Sequence, residues 1–466
     1  MSTVFTQFQG YIILISYGLI MFLASLKILK PSLTKENYIL ADRKISWLQS
    51  GFSVAATWIW APALFVATQK AYTQGIAGLF WFTVPNILCL LIFTYFAIKI
   101  RELCPNGFTL SSYMRETYSS RVQNMYLIEL IGLAVCQFAV QLLAGGAVIS
   151  FLTGLDFFIV TFILTAIALS YSLISGVRAS ILTDYWQMWL ILIVVLIVVP
   201  WVVVSAGGMQ VLKNGIGGYS GEYNNLFNKD VAYSFGIVVT IGLLAGPFGD
   251  QSFWQRTFAT EKKQIKKAFL TSALVFGIVP IFTGLIGFVA AALNIEGEPQ
   301  LINIITVQKL LPDWVLLPFA IMLISGLVST LDSALCSVSS LVGHDIAIKL
   351  GLNKKSQFHF AKYGMIGLSL LGLILANIPN MKILYLFLFY GTLRASTLIP
   401  TVMTILYGRL SETGMFYGIC LAIFVGAPLM AFGNFGGSVD FKVWGAIFTV
   451  LSSGVVAIMF TKLQIK

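Results

Sequence analysis

Thirteen long apolar blocks, separated by short polar breaks, take up most of this 466-residue chain. Each block is long enough to cross a hydrocarbon layer about 30 Å thick as an α-helix. In hydrocarbon the backbone amides and carbonyls must bond to one another, so only helices and closed barrels fill that space, and blocks of this length read as helices. Charged residues make up 10% of the chain, where roughly 25% is usual for a soluble domain, and 58% of residues are hydrophobic. A water-soluble enzyme is excluded. The fold class is an all-α polytopic membrane protein, with spans expected near residues 11–30, 47–71, 78–100, 124–153, 157–176, 182–205, 233–252, 267–293, 314–344, 358–378, 381–407, 413–432 and 441–462.

Charge sets the orientation. Of the 29 Lys and Arg residues, 22 fall on one side of the alternating breaks. Lys70, Lys213, Lys229, Lys309, Lys382 and Lys442 fall on the other side, and Arg394 alone is expected inside a span. The positive-inside rule therefore predicts a multi-pass protein of the cell membrane, N-terminus outside and C-terminus cytoplasmic. The first ten residues hold no Lys or Arg, so the opening block reads as a retained span and not as a secretory leader. Five scattered cysteines lack C-x-x-C spacing, and His344 and His359 sit by an inner loop, which gives no zinc, haem or disulfide framework. One membrane domain is expected, with nothing appended and no nucleic-acid or obligatory protein partner.

A membrane helix gives up backbone hydrogen bonds only where protein or water replaces them, so mid-span proline and clustered glycine mark a cavity or a packing kink. Two spans carry such marks. In SVAATWIWAPALF, residues 53–65, Pro62 removes an amide near mid-membrane; in GLLAGPFGDQ, residues 242–251, Gly242, Gly246, Pro247 and Gly249 crowd together. Five spans separate the two starts, so these helices run in opposite directions, as inverted five-helix repeats require. The ninth span carries Ser325, Ser329, Ser333 and Ser337 at four-residue steps, a hydroxyl-lined face. Such a stripe serves close helix packing or faces an ion. Asp332 beside it favours the second, because a carboxylate in a span needs a partner, water or a cation.

The runs TWIWA at 57–61, SGVRASILTDYWQ at 175–187, GDQSFWQR at 249–256 and SGLVSTLDSALCSVSSLVGHD at 325–345 stand in the order and spacing of the sodium/solute symporters. The chain resembles that family over essentially its full length. Within it, the stretch from TWIWAPALFVATQKAYTQGIAGLFWF through ELCPNGFTL, with DQSFWQR, is most similar to the urea-transporting branch. The resemblance implies a LeuT-like 5+5 inverted repeat with one extra helix before and two after. Its parts would be an extra helix and inner loop at 11–46, repeats at 47–205 and 233–407, an outer loop at 206–232, and closing helices at 408–466. It also implies a bound Na+ held by the carbonyls of Ala56, Ile59 and Gly326 and the hydroxyls of Ser329 and Thr330, oxygen ligands suited to a hard cation. Asp184 matches an aspartate that in the family lies by the sodium exit path or in a second site, with Asp332 and Ser333 as companions. Members with a well-formed second site tend to carry a hydroxyl where Asp332 stands, so a second sodium ion and a proton both remain open. Asp184 also reads as a cap or as a partner of Arg178.

The solute pocket is expected between the broken helices and the fourth and eleventh spans, at Trp58, Trp60, Gln137, Gln141, Gly246, Pro247 and Arg394. Gln137 and Gln141 share a helix face and serve either a pocket or an interhelical bond. The resemblance places an aromatic gate of sugar carriers at Gly246, which argues for a smaller solute. Arg394 pairs with a carboxylate, reaches a water-filled vestibule or binds an anionic solute. The sequence thus points to sodium-coupled import of a small polar solute, urea or a urea-like compound, by alternating access. The alternatives are an amino-acid or carboxylate symporter, a proton-coupled symporter and a passive urea facilitator.

Overall fold

The computed structural model describes residues 4–27 and 34–465; the expected end of the first span, with Lys30, and the terminal Lys466 lie outside them. Among the described residues there is no β-strand beyond the single bridge of Ile45 with Thr260. Among the described residues, eleven helices are long and apolar enough to cross a membrane. We label the helices used below α1 (Gln7–Leu26), α2 (Trp47–Trp58), α3 (Ala61–Leu64), α4 (Val66–Leu103), α5 (Ser120–Thr153), α6 (Phe157–Ser175), α7 (Val177–Ser205), α8 (Ile237–Leu244), α9 (Gln251–Ala259), α10 (Ile265–Ala292), α11 (Leu316–Ser340), α12 (Lys354–Ala376), α13 (Ile383–Tyr407), α14 (Glu412–Gly436) and α15 (Val439–Ile465).

Polar caps set where these apolar helices begin. Thr6 and Gln9 form a reciprocal cap on α1, and the side chains of Ser46, Asp156 and Asn353 accept amides at the starts of α2, α6 and α12. The bundle is apolar outside and polar within. Leu19, Ile128, Ile197, Leu274, Ile374 and Phe424 stand exposed, while Asp184, Arg256, Ser329, Asp332 and Arg394 are buried between helices. That distribution suits a lipid solvent, which takes apolar surface without cost and leaves polar groups to find partners inside.

Both expected breaks are present, and they are local effects of proline and glycine. Helix α2 stops at Trp58, Ile59 turns out with φ −82° and ψ 63°, Trp60 is extended, and α3 resumes with Pro62 in its first turn. The second break lies between Leu244 and Gln251 and contains Gly246, Pro247 and Gly249. Gly242 faces Gly391 backbone to backbone: a Cβ on Gly242 would lie 2.8 Å from the Gly391 Cα, so α8 and α13 touch there without side chains.

The second and third spans are separate helices, as expected, although they meet within the stretch Val66–Leu103, whose backbone is non-helical at Gln74 and Gly75. Their polar junction is the interruption of α4 at Gln74 and Gly75, the latter with φ 54° and ψ −151°, and the chain folds back there so closely that a Cβ on Gly78 would lie 2.6 Å from the Lys70 carbonyl oxygen. The connection after α7 seats itself in this kink. Ile76 N bonds to Ile216 O at 2.8 Å and Tyr219 N to Tyr72 O at 2.7 Å, so backbone groups freed by the kink find partners in the connection.

Candidate functional site

The first break presents oxygen atoms to α11. Gly326 lies so close to Ile59 that a Cβ would be 3.1 Å from the Ile59 carbonyl oxygen, and the missing side chain is what allows the approach. Trp60, four residues on from Ala56, is outside the helix. The Thr330 hydroxyl lies 3.2 Å from the carbonyls of both Thr57 and Gly326. Ser329 Oγ is buried and has no hydrogen-bond partner. Ile59, Gly326 and Thr330 therefore meet where the α2 break touches mid-α11, with Ala56 and Ser329 next to them in the chain.

Next to it lies a group of charges that the sequence reading missed. Arg256, counted there with the inner-loop basic residues, is fully buried at the end of α9. Its Nη2 donates to Asp184 Oδ2 at 3.0 Å and to Ser333 Oγ at 2.5 Å, and its Nε donates to Ser53 Oγ at 2.8 Å. Arg394 is thus not the only cation inside the bundle, and the partner of Asp184 is Arg256 instead of Arg178. Asp332 has a different environment: it accepts from Tyr171, from Ser180 at 2.6 Å and from Thr183 at 3.3 Å. Two carboxylates and one guanidinium share this buried region, so with both acids ionised it keeps one negative charge. The Ser329 hydroxyl lies beside the Asp184 carboxylate and acts on it, but neither Ser329 Oγ nor Asp184 Oδ1 has a partner at full hydrogen-bond geometry. Two orphaned oxygens on neighbouring side chains are the donor set a small hard cation takes. Among the described residues no cluster of His, Cys, Asp and Glu could hold a transition metal.

The expected solute residues gather on the other side of the first break. The Trp58 and Trp60 rings stack with centroids 6.0 Å apart, and Trp60 meets Phe387 at 5.1 Å and Tyr390 at 5.5 Å. Gly246 is required by this cage, since a Cβ there would come 2.2 Å from Trp58 Cη2. Arg394 faces the cage, its Cζ 5.5 Å from the Trp58 ring, 5.3 Å from Trp60 and 3.6 Å from Tyr390. Its charge is met by Asp250, with Nη2 3.5 Å from Oδ2, and by the Tyr390 hydroxyl. Gln141 Oε1 accepts the Ala61 amide at 2.8 Å, which replaces a bond lost at the break. Four polar atoms in this neighbourhood are buried without hydrogen-bond partners: Trp60 Nε1, Gln141 Nε2, Arg394 Nε and Asp250 Oδ2. Gln137 is also buried on α5. About two turns earlier on α5, Glu129 accepts from Ser396 at 3.1 Å and Thr397 at 2.9 Å.

Two broken helices running past each other, with charges and hydroxyls buried at both breaks, define a LeuT-like secondary transporter. The chain belongs to the sodium:solute symporter family, whose pattern covers residues 38–422. Over 97% of its length it superposes on a Na+-coupled sialic acid symporter in a substrate-bound outward-open state, with a TM-score of 0.82, 18% identity and 98% of that chain covered. Mhp1, a nucleobase-cation-symport-1 family transporter, aligns with a TM-score of 0.62 at 15% identity, over 93% of this chain and 96% of the other. In sequence it is 23% identical to the probable urea active transporter 1 of Schizosaccharomyces pombe, over 87% of this chain and 67% of the relative. It is 28% identical to the urea active transporter of Saccharomyces cerevisiae, over 58% of this chain and 38% of the relative. It is 23% identical to the urea-proton symporter DUR3 of Oryza sativa subsp. japonica, over 89% of this chain and 64% of the relative. The chain thus spans two thirds or less of the length of these curated relatives. It is a multi-pass membrane symporter for a small solute and a coupling ion, and not an enzyme.

Proposed function

We propose that the protein imports urea, or a neutral amide of similar size, driven by inward movement of sodium across the cell membrane. The observation that carries this reading is the aromatic cage between the breaks, with the unpartnered donors Trp60 Nε1, Gln141 Nε2 and Arg394 Nε and the acceptor Asp250 Oδ2 around it. A planar solute with one carbonyl and several N–H groups satisfies such a set, and the rings cover its faces. Arg394 is already engaged by Asp250, which removes the reason to expect a carboxylate solute. Names of the relatives support urea, and Ser329 Oγ beside Asp184 Oδ1 supports sodium. The working orientation has the N-terminus outside, with repeats at 47–205 and 233–407 rocking past each other about the two breaks.

Sodium would be held by the carbonyls of Ala56, Ile59 and Gly326 and the hydroxyls of Ser329 and Thr330. A membrane potential of about 100 mV supplies roughly 2.3 kcal/mol per ion. A tenfold sodium gradient adds about 1.4 kcal/mol, enough together for accumulation on the order of several hundred-fold. The test is uptake of labelled urea into proteoliposomes with and without an inward sodium gradient, in the wild type and in Ser329→Ala/Thr330→Ala. Concentrative uptake that needs sodium in the wild type and loses that need in the double variant is expected. Undiminished sodium stimulation in the variant refutes the site.

Proton coupling is the second reading. It is favoured by Asp332, which is buried among four hydroxyls, and by the proton-coupled relative from rice. With Arg256 between Asp184 and Ser333, one further positive charge is enough to balance the region, so we take the stoichiometry as one coupling cation. Uptake driven by a pH gradient in sodium-free medium would decide for the proton.

A further inference from the structure

A cavity of about 190 Å3 lies at the end of the bundle proposed as outer, away from both breaks, and it is lined by two lysines. Lys70 comes from the first turns of α4, just past the first break, and Lys442 from the start of α15. Gln74, Phe235, Tyr385 and Asn434 are among the other residues of its wall. Lys70 is only 8% exposed. Its ammonium sits 4.2 Å from the centroid of the Phe235 ring, and the charge that acts on it is that of Lys442, which has the same sign. Among the described residues neither lysine forms an ion pair. Asp440, the acid nearest to Lys442 in sequence, is exposed and accepts from the Tyr233 hydroxyl at 2.7 Å.

A buried ammonium needs a counter-charge, and a second ammonium in the same cavity makes the need greater. The ring face of Phe235 offsets only part of it. Asn434 is held by a bond from its Nδ2 to Tyr385 O at 2.8 Å, so a polar amide is fixed at the wall. The space is a small cavity that holds two lysine amines and no acidic side chain in its lining. We propose that Lys70 and Lys442 bind a small monovalent anion, either a halide or a short carboxylate. Its position is informative, because Lys70 rides on the second half of the first broken helix while Lys442 and Asn434 belong to the two closing helices. The anion joins a moving element to the outer frame in the present arrangement, and anion binding stabilises that arrangement over others.

The test uses the purified full chain in detergent at fixed pH, sodium and ionic strength, with gluconate replaced stepwise by chloride in one series and by formate in another. The thermal midpoint is expected to rise saturably, by about 3 °C at an anion concentration on the order of 100 times the dissociation constant. Whichever of the two anions saturates at lower concentration identifies the class. Lys442→Gln, at a partly exposed position, and Lys70→Gln are each expected to abolish the rise, while Lys309→Gln on the same face leaves it intact. A wild-type midpoint equal in all three salts overturns the proposal, because the lysines then need no anion. So does a rise that never saturates, or one that survives in either Lys70→Gln or Lys442→Gln.

Discussion

Replacing Arg256 by Met tests whether the charge group beside the first break is an ion pair that holds the bundle together. Met keeps much of the length and apolar volume of the side chain and removes the charge. Asp184 then retains Ser53, at 2.5 Å, and the Ser329 hydroxyl, and Asp332 loses the cation that acts on it. Removing one partner of a buried pair costs about 3–5 kcal/mol, because the other charge is left uncompensated. A loss of 3 kcal/mol lowers the folded-to-unfolded ratio roughly 150-fold. Asp184→Asn is expected to cost less, since the guanidinium still has Asp332 nearby along with its bonds to Ser53 and Ser333. The double variant should be more stable than the two single losses summed, with a coupling on the order of 2–3 kcal/mol. Equilibrium unfolding of the four proteins in mixed detergent measures the cycle. Additivity within about 0.5 kcal/mol would show that Asp184 and Arg256 do not depend on each other, and the charge count used above would fall.

Two further substitutions address the breaks. Gly246→Ala places a methyl 2.2 Å from Trp58 Cη2, so the ring must move; folded yield is expected to stay near wild type while the KM for urea rises about tenfold, and an unchanged KM removes Trp58 from the pocket. Gly242→Val forces α8 from α13 at their backbone contact, 2.8 Å from the new Cβ to the Gly391 Cα, and is expected to cost about 1–3 kcal/mol, read as a fall in monodisperse protein on size-exclusion chromatography.

The features legible in the sequence were those set by nearby residues. Pro62 deletes an amide wherever it stands, and three glycines with a proline stop a helix whatever surrounds them, so both breaks were readable. The four-step serine stripe was readable for the same reason. What the sequence hid was pairing across the fold. Arg256 ends a polar motif and reads as part of an inner loop, and its carboxylate, Asp184, lies 72 positions earlier in the chain. Asp250, the partner of Arg394, belongs to a different broken helix, and nothing in the spacing joins the two. The polar run around Gln74 read as a gap between spans, and the backbone leaves the helical conformation there, at Gln74 and Gly75. Gln141 stands between its two expected roles, with one end of the amide mending the broken backbone and the other free.

The bend in α4 belongs as much to the segment after α7 as to α4 itself. The bonds from Ile76 to Ile216, Tyr219 to Tyr72 and Ala77 to Tyr223 all run between main-chain atoms. Side-chain identity is therefore nearly irrelevant to them, apart from the glycines whose Cβ atoms would strike the opposing chain, Gly75 and Gly218 among them. Spacing is not irrelevant: one residue removed between Ile216 and Tyr223 would take every acceptor out of register. That surface connection tolerates new letters but not a new length, the reverse of what is usual for loops.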